Sequence, residues 1–408
     1  MQHAKMDSCK TWNKEMTREF FPYKRIMWPV GSWPVDSSKN FAKLRALFVT
    51  VTLALMVAYL SMEIGYHDGA NLNLIIDHFT LITIGTLTII KISIIRLHRD
   101  DLSKYMCNAA SDWIYVAQRD HREVMLRYAN LGRFVFFSQM CSSYIVIIPL
   151  IAESLLSFVT MSSLQNITLS MSVEEMRVIK LPHDMICPFN AQVACFGICI
   201  VQAVQLISLA TGNCGSDVFL FGICMHLCGQ LEILGLQLSR FHEGKGNDSW
   251  GKTKLVALIE RHCLLLNLAK DIVDTLDIIL SAQLIFQASL ICIIGLQFIV
   301  SLAISDFFLV VRSILSFGIL MIQLFLYTYV GEILSLRTQA ISTAIYLSKW
   351  YDLPINITRD ICFIMFRATY PVYIRVGKFY NMDLNTFKTI LKASASYFSV
   401  LRIMFTQY

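Results

Sequence analysis

The sequence predicts an all-α, polytopic membrane protein with seven transmembrane helices. Of its 408 residues, 55% are hydrophobic and 16% are charged, and the mean hydropathy is +0.55. That balance is too apolar for a soluble globular domain. A bilayer span needs about 20 mostly apolar residues. Five long stretches contain no Asp, Glu, Lys or Arg, and they cover 46–62, 134–152, 185–216, 278–305 and 313–331.

Two further helices complete the predicted seven. The stretch 72–95 is apolar apart from Asp77 and His78 near its start, and the last helix covers 382–405. Charges inside a membrane span are expensive and usually functional. We expect Asp77 and His78 to lie at the outer mouth of the second span, bonded to each other or to water. We expect Asp217, in the fourth span, to bond free backbone groups or a partner lysine.

The basic residues between the spans predict how the chain sits in the membrane. Lys and Arg number nine, eight, five and five in alternate segments, which are 1–45, 91–133, 240–261 and 337–375. The segments between these are nearly free of basic residues. Cytoplasmic loops carry the excess of Lys and Arg, so the N-terminus is predicted to be cytoplasmic. Seven spans then place the C-terminus outside the cell.

The predicted organisation follows from these spans and from apolar stripes that continue beyond them. Helices four to seven are expected to extend into a cytoplasmic anchor region, whose stripes must pack within the chain or against another subunit. Asn166-Ile-Thr168, in the outside loop 159–185, matches a glycosylation sequon. The predicted segments are a cytoplasmic N-terminal segment (1–43), spans one to four (44–240), a cytoplasmic link with an amphipathic helix (241–278), spans five and six (279–335), an anchor helix (336–381) and the last helix (382–405).

The last helix has two unlike faces. On a helical wheel with about 100° per residue, seven bulky apolar side chains share one arc, namely Phe387, Ile390, Leu391, Tyr397, Phe398, Leu401 and Phe405. Five smaller or partly polar side chains form a narrow line on the other side, namely Thr389, Ala393, Ser396, Val400 and Met404. A helix that faces lipid all round does not need the second face, whereas a helix that lines a water-filled path does.

Several other classes of protein find little support in the sequence. A G-protein-coupled receptor needs an outside N-terminus, which the basic residues oppose, and a secondary transporter usually shows internal repeats. No common catalytic or phosphate-binding motif occurs, so no enzyme is predicted. Cys224, His226 and Cys228 do not have the spacing of a zinc site, and no metal or cofactor is expected. The net charge of +6 does not indicate nucleic-acid binding, because the basic residues are distributed by membrane side.

Four stretches in register resemble the insect odorant receptor family. They are the N-terminal FFPYKRIMWPVGSWP, the QLEIL that starts at Gln230, the AIYLSKWY that ends at Tyr351, and the closing blocks from Pro371 to Leu401. The shared co-receptor of that family has a long insertion between spans four and five, whereas the link here is short. The chain is therefore more similar to a ligand-tuning subunit. Related gustatory receptors usually end in a Thr-Tyr-based pattern, whereas this chain has Ser396-Tyr397.

The resemblance implies a subunit of an odorant-gated, non-selective cation channel. Its expected partners are the co-receptor, in a heterotetramer, a small volatile odorant and the permeating cations, and its expected place is the plasma membrane of olfactory sensory neurons. The family's hydrophobic gate would fall on Val400 and Met404, and Ser396, Ala393 and Thr389 would line the wider path beside it. The family's ligand pocket, in the outer half of the bundle, would involve Phe79, Thr83, Tyr144, Ile148, Phe196, Ile200, Phe308, Val311 and Leu315, with hydroxyls from Thr83 and Tyr144.

Overall fold

The computed structural model describes ten α-helices and two short hairpins. The described residues are 14–36, 39–66, 72–116, 118–165, 178–180, 186–188, 192–241, 248–377 and 380–406. The helices are α1 (Lys14–Val30), α2 (Asn40–Tyr66), α3 (Leu72–Leu97), α4 (Arg99–Tyr115), α5 (Arg119–Gln165), α6 (Gln192–Ser239), α7 (Asp248–Ile304), α8 (Phe307–Tyr346), α9 (Ile355–Ala368) and α10 (Leu384–Thr406). Short 3-10 turns cover Pro34–Asp36 and Trp350–Asp352. The predicted all-α class is confirmed.

The two hairpins are small and antiparallel. Strands β1 (Val178–Lys180) and β2 (Ile186–Pro188) pair with Ile179 opposite Cys187. Strands β3 (Arg375–Val376) and β4 (Tyr380–Asn381) pair with Val376 opposite Tyr380. The second hairpin leads directly into α10 and so determines where that helix begins.

Six of the described helices are long and apolar enough to cross a membrane, namely α2, α3, α5, α6, α7 and α8. The seventh predicted span, α10, is amphipathic and carries Lys388, Lys392 and Arg402. Its composition therefore differs from that of the other six, because one of its faces is not built for lipid. The chain is a multi-pass membrane protein.

Four of these helices are much longer than a bilayer is thick. Helix α7 has 57 residues, or about 85 Å at the α-helical rise, against about 30 Å of hydrocarbon. The predicted extension is present as continuous helix in α6, α7 and α8. It was wrong for the seventh helix, because α10 has only 23 residues and begins just after the β3–β4 hairpin. Helix α5 is extended as well and begins at Arg119, in a stretch that the sequence analysis treated as loop. We call the end of the bundle that holds α4, α9 and these extensions the anchor end, and the opposite end, where α7 meets α8, the outer end.

The stretch 336–381, predicted as one anchor helix, consists of several elements. Helix α8 continues to Tyr346, the 3-10 turn follows, and α9 begins after Pro354. Leu353 has an extended backbone, as the residue before a proline usually does, and this separates the 3-10 turn from α9. The β3–β4 turn contains Gly377 at φ 56, a conformation that favours glycine.

The largest apolar core lies at the anchor end, around α6. Helix α6 packs against α5, α8, α3, α1, α7 and α2. Ile341 of α8 and Ile361 of α9 are buried in the same cluster as Leu231 of α6 and Leu265 of α7. The apolar stripes of the anchor region are therefore covered, in large part, from within the chain.

The polar residues of the QLEIL stretch bond to the helices that pack around α6. Gln230 of α6 accepts a hydrogen bond from Arg261 of α7 over 2.9 Å. Glu232 accepts a 2.7 Å hydrogen bond from the Tyr128 hydroxyl of α5 and pairs with Arg127 of the same helix and with Arg337 of α8. Gln230 and Glu232, two residues apart and so on nearly opposite sides of α6, thus tie α6 to three neighbouring helices.

Candidate ligand cavity and the last helix

A cavity of about 140 Å³ lies between α3, α5, α6, α7 and α8, toward the outer end. Most of its wall is aliphatic and comes from Leu81, Ile84, Leu87, Val146, Ile147, Leu150, Leu206, Leu209, Leu290, Ile294, Ile319 and Leu320. Its polar lining comes mainly from Asp77, Thr80, Ser143, Asn213, Gln297, Arg312, Ser316 and Gln323. Apolar walls with few polar groups are typical of a site for a small organic molecule.

An ion pair forms one end of the cavity. Arg312 of α8 donates to both carboxylate oxygens of Asp77 of α3, over 3.1 and 3.0 Å. Gln297 of α7 donates to Asp77 Oδ1 over 2.9 Å. A bidentate guanidinium–carboxylate pair is among the strongest hydrogen-bonded arrangements in proteins. Three helices are therefore joined by one polar cluster at the mouth of the cavity.

Asp77 has two partners that the sequence did not suggest. We expected His78 or water, whereas Arg312 and Gln297 bond to Asp77. One signal in the sequence pointed to Arg312. It lies five residues after the start of α8, and Asp77 lies five residues after the start of α3, so opposite charges occur at equal depth on two helices that start at the same end.

The other end of the cavity rests on a second polar cluster. Lys91 of α3 donates to Asn213 Oδ1 over 2.7 Å and pairs with Asp217 of α6, also at 2.7 Å. Gln323 and Tyr327 of α8 donate to the same carboxylate. The expected partner lysine of Asp217 is thus Lys91. Because Asn213 and Gln323 also line the cavity, its inner end is in direct contact with this cluster.

The nine predicted ligand residues lie on helices that line the cavity, but none of them is among its lining residues. Seven have exposed side chains on the outside of the single chain, namely Phe79, Ile148, Phe196, Ile200, Phe308, Val311 and Leu315. Positions adjacent to six of the nine line the cavity instead, as Ile147 does beside Ile148. One residue along a helix turns the side chain by about 100°, so at these six positions the difference is one of rotation about the helix axis. Phe196, Ile200 and Phe308 lie at least four residues along their helices from any lining residue.

The two predicted hydroxyl groups are engaged within the protein. Thr83 donates to the carbonyl oxygen of Phe79, one turn earlier in α3, over 2.6 Å. The Tyr144 hydroxyl of α5 lies 3.0 Å from the Thr211 hydroxyl of α6. Tyr144 therefore joins two helices next to the cavity, beside the lining residue Ser143.

The middle of the bulky arc of α10 packs against α7 and α8, whereas Leu391 and Tyr397 at its edges are exposed. The Phe398 ring meets Phe317 of α8 with ring centroids 5.4 Å apart, and Phe387 meets Phe325 of α8 at 5.6 Å. A Cβ added at Gly295 of α7 would stand 2.7 Å from the Phe398 ring. Glycine is needed there because the ring lies against the α7 backbone.

The opposite face of α10 is exposed in the single chain. Thr389, Ala393, Ser396 and Val400 are all exposed, whereas Ser394, on the packed side, is buried. The predicted narrow line of residues is therefore uncovered by the rest of the chain. The side chain of Met404 lies outside the described residues, as does Asn166.

Comparison with known proteins decides the family. A sequence model described as "7tm Odorant receptor" matches residues 71–395, most of the chain. The chain belongs to the seven-transmembrane odorant receptor family. The match spans every helix that lines the cavity and ends within α10, before Val400. Members of this family are receptors and not enzymes.

Individual relatives of the receptor are distant but extend over long stretches. Odorant receptor 13a of Drosophila melanogaster is 23% identical over 94% of this chain and 97% of its own. Odorant receptor 10 of Aedes albopictus is 26% identical over 50% of this chain and 55% of its own.

The fold of the receptor matches that of solved insect receptors. The olfactory receptor OR5 from Machilis hrabei superposes with a TM-score of 0.75 over 94% of this chain and 97% of that one, at 15% identity. The same protein in complex with eugenol gives 0.74 over 96% and 98%. At this identity the likeness concerns the fold alone.

The cysteine and histidine residues near the anchor end have ordinary packing roles. Cys224 and Cys228 are buried in the main core, and His226 Nδ1 lies 2.9 Å from the Tyr105 hydroxyl. Within the described residues, no group of three or more His, Cys, Asp or Glu side chains could hold a metal ion.

Proposed function

We propose that the receptor is a ligand-tuning subunit of an odorant-gated, non-selective cation channel. In this proposal it assembles with the odorant receptor co-receptor as a heterotetramer in the plasma membrane of olfactory sensory neurons. The observation that carries the proposal is the aliphatic cavity between α3, α5, α6, α7 and α8, in a chain of the odorant receptor family.

The ligand is proposed to be one small volatile molecule in this cavity. A cavity of about 150 Å³ lined by aliphatic and aromatic groups is known to hold a benzene-sized molecule, and the one here measures about 140 Å³. Transfer of an apolar ligand from water into such a site is favourable by roughly 25 cal/mol per Å² of apolar surface. The family name and the eugenol complex of the Machilis receptor agree with a ligand of this kind.

A contact path connects the cavity to α10. Leu290, Ile294 and Leu320 line the cavity. The same three residues form a small buried cluster against which Ile390 and Phe398 of α10 pack. A ligand that favours one arrangement of these side chains would therefore shift α10 between two positions, in proportion to its difference in affinity for them.

The exposed face of α10 is proposed to line the pore. Thr389, Ala393 and Ser396 offer small or hydroxyl-bearing surface for hydrated cations. Val400 and Met404 are proposed as an apolar constriction, which closes a pore by dewetting. In the assembly, the exposed face of each α10 would turn toward a central axis shared by the four subunits.

The anchor end is proposed to provide the assembly surface. Phe363 and Phe366 of α9 and Leu347 after α8 are exposed, large and apolar. Exposed apolar surface of this kind commonly marks a protein–protein contact. The distribution of basic residues supports a cytoplasmic anchor end and N-terminus, with Asn166 outside as a proposed glycosylation site.

The test is voltage clamp of cells that express the receptor with the co-receptor, the receptor alone or the co-receptor alone, under a volatile panel and with G-protein signalling blocked. The proposal expects fast inward cation current that depends on the odorant and needs both chains. Current that disappears when G-protein signalling is blocked would contradict it. A cytoplasmic C-terminus, read from an appended epitope in intact cells, would contradict it as well.

A further inference from the structure

We propose that the Asp77–Arg312 ion pair makes the cavity selective for neutral ligands that carry an oxygen acceptor, such as aldehydes, ketones and esters, and excludes carboxylates and amines. This inference rests on the proposed function, because it names the ligand class of the same cavity. It assigns selectivity to two residues, one on α3 and one on α8.

The ion pair is part of the cavity wall. Both residues line the cavity, and their side chains are only 10% and 24% exposed, respectively. Gln297, which is buried, supports Asp77 from α7. Because three helices hold the carboxylate in place, the pair is a fixed feature of the wall and not a loose surface contact.

The two charges cancel each other at the place where a ligand would meet them. The guanidinium has five N–H donors in total, and two of them go to Asp77. Arg312 therefore has capacity to donate to a ligand oxygen, while its charge is already balanced. A ketone or ester can accept such a hydrogen bond and place its alkyl chain along the aliphatic wall between Ile147 and Ile294.

Charged ligands face a double penalty in this arrangement. A carboxylate or an ammonium loses its hydration on entry, which is expensive unless an opposite charge compensates it. Here each opposite charge already has its partner, and the like charge of the pair lies about 3 Å away. Selectivity thus comes partly from a repulsive element, as is common in specific sites.

The alternative is a purely structural role, in which the ion pair only holds α3, α7 and α8 together. If the role is purely structural, removal of one charge lowers the stability of the folded receptor and does not change which ligands bind. The two readings are separable because each single substitution leaves one uncompensated charge of known sign in an aliphatic cavity. The remaining Arg312 charge in D77N should favour carboxylates, and the remaining Asp77 charge in R312Q should favour amines.

The experiment compares four variants of the full receptor with its co-receptor. They are D77N, R312Q, the double variant D77N/R312Q and a control, D306N. Asp306 is an exposed acid at the same end of the bundle that caps α8 and does not line the cavity, and asparagine caps a helix about as well. The control therefore removes one negative charge nearby without changing the cavity.

The probes are hexanal, hexanoate and hexylamine, which share one carbon skeleton. Binding is measured as thermal stabilisation of the purified complex, since a ligand that binds the folded state raises its melting temperature. Activation is measured as current in cells that express the same variants.

The wild-type receptor is expected to prefer hexanal. D77N should bind hexanoate at least about ten-fold more tightly than the wild type, R312Q should gain affinity for hexylamine to a similar degree, and the double variant and D306N should gain neither.

The measured affinities distinguish ligand selectivity from a purely structural role of the ion pair. The proposal is overturned if D77N forms a folded complex and gains no affinity for hexanoate, or if the wild type prefers either charged probe. If D77N does not fold, R312Q with hexylamine tests the same rule with the opposite sign, and a folded R312Q without a gain also overturns it. Stabilisation that follows this pattern without any current would contradict the channel function and leave the selectivity rule standing.

Discussion

Lys91 of α3 and Asp217 of α6 form an ion pair in which both side chains are almost fully buried, at 0% and 4% exposure. The amine also donates to Asn213, and the carboxylate also accepts from Gln323 and Tyr327. Every charge in this cluster is therefore compensated by an opposite charge or a hydrogen bond. Since Asn213 and Gln323 line the cavity, the cluster forms the inner end of the cavity and would contact a ligand bound there.

Loss of one partner of this pair should destabilise the receptor strongly. Lys91→Met leaves a buried carboxylate without its counter-charge, which typically costs about 3–5 kcal/mol of folding free energy. The double variant Lys91→Met/Asp217→Asn should recover part of that loss, because no uncompensated charge remains. Lys104→Met, at the exposed pair with Asp101, is the matched control and should change little. Thermal melting of the detergent-solubilised receptor measures all three, and equal melting temperatures for the two lysine variants would contradict the prediction.

The contact between Gly295 and Phe398 should be sensitive to a single methyl group. Gly295→Ala places a Cβ where the Phe398 ring now lies, and such overpacking typically costs about 1–3 kcal/mol. Because the ring belongs to α10, we expect a shifted odorant concentration dependence of the current. Gly318→Ala on α8 is the control, since its Cβ would meet nothing within 4 Å. Phe398→Leu should restore part of the response in the Gly295→Ala background, and identical behaviour of the two alanine variants would count against the prediction.

Adjacent residues of α5 should differ in their effect on ligand binding. Ile147 lines the cavity, whereas the side chain of Ile148 is exposed. Ile147→Ala removes contact surface that is worth about 1–3 kcal/mol to a small apolar ligand, so about a ten-fold or larger rise in the half-maximal odorant concentration is expected. Ile148→Ala should leave that concentration within about two-fold of the parent value. The reverse order of effects would show that the predicted residue, and not its neighbour, touches the ligand.

Polar substitution on the exposed face of α10 should make the channel leak. Val400→Ser replaces an apolar side chain at the proposed constriction, and hydration of that site favours the conducting state. We expect a higher current without odorant in cells that also express the co-receptor. Ser394→Ala, on the buried side of the same helix, should not raise that current. Unchanged leak in Val400→Ser at equal surface expression would remove Val400 from the gate.

The elements of the fold were predictable from the sequence because hydropathy and charge report directly on a bilayer. Runs without charge identified the spans, and apolar stripes that continue past them indicated the long helices α6 to α8. The face of α10 that packs on α7 and α8 was visible as well, because Phe387 and Phe398 stand opposite Thr389 and Val400 on the wheel. The break between α8 and α9 was missed, since the apolar pattern continues on both sides of it.

The cavity was harder to predict because its lining depends on how each helix is rotated. A span that is apolar all round gives no indication of which face turns inward, so Ile147 and Ile148 look alike in the sequence. The residues that form the ion pairs were hard to identify for a related reason, although a partner lysine was expected for Asp217. Lys91 and Arg312 were counted as residues at the edges of loops, whereas the structure buries Lys91 fully beside Asp217 and places Arg312 on Asp77. Only the arrangement of α3 against α6 and α8 brings these charges together.

A cryo-EM structure of the receptor with its co-receptor and an odorant that opens the channel would test directly whether the cavity holds the ligand and controls α10. Under our proposal, ligand density lies between the Asp77–Arg312 pair and Asn213, in contact with Ile147 and Ile294, and α10 is displaced relative to the ligand-free complex. Density elsewhere in the complex, or an α10 that does not move while the cavity is filled, would contradict it.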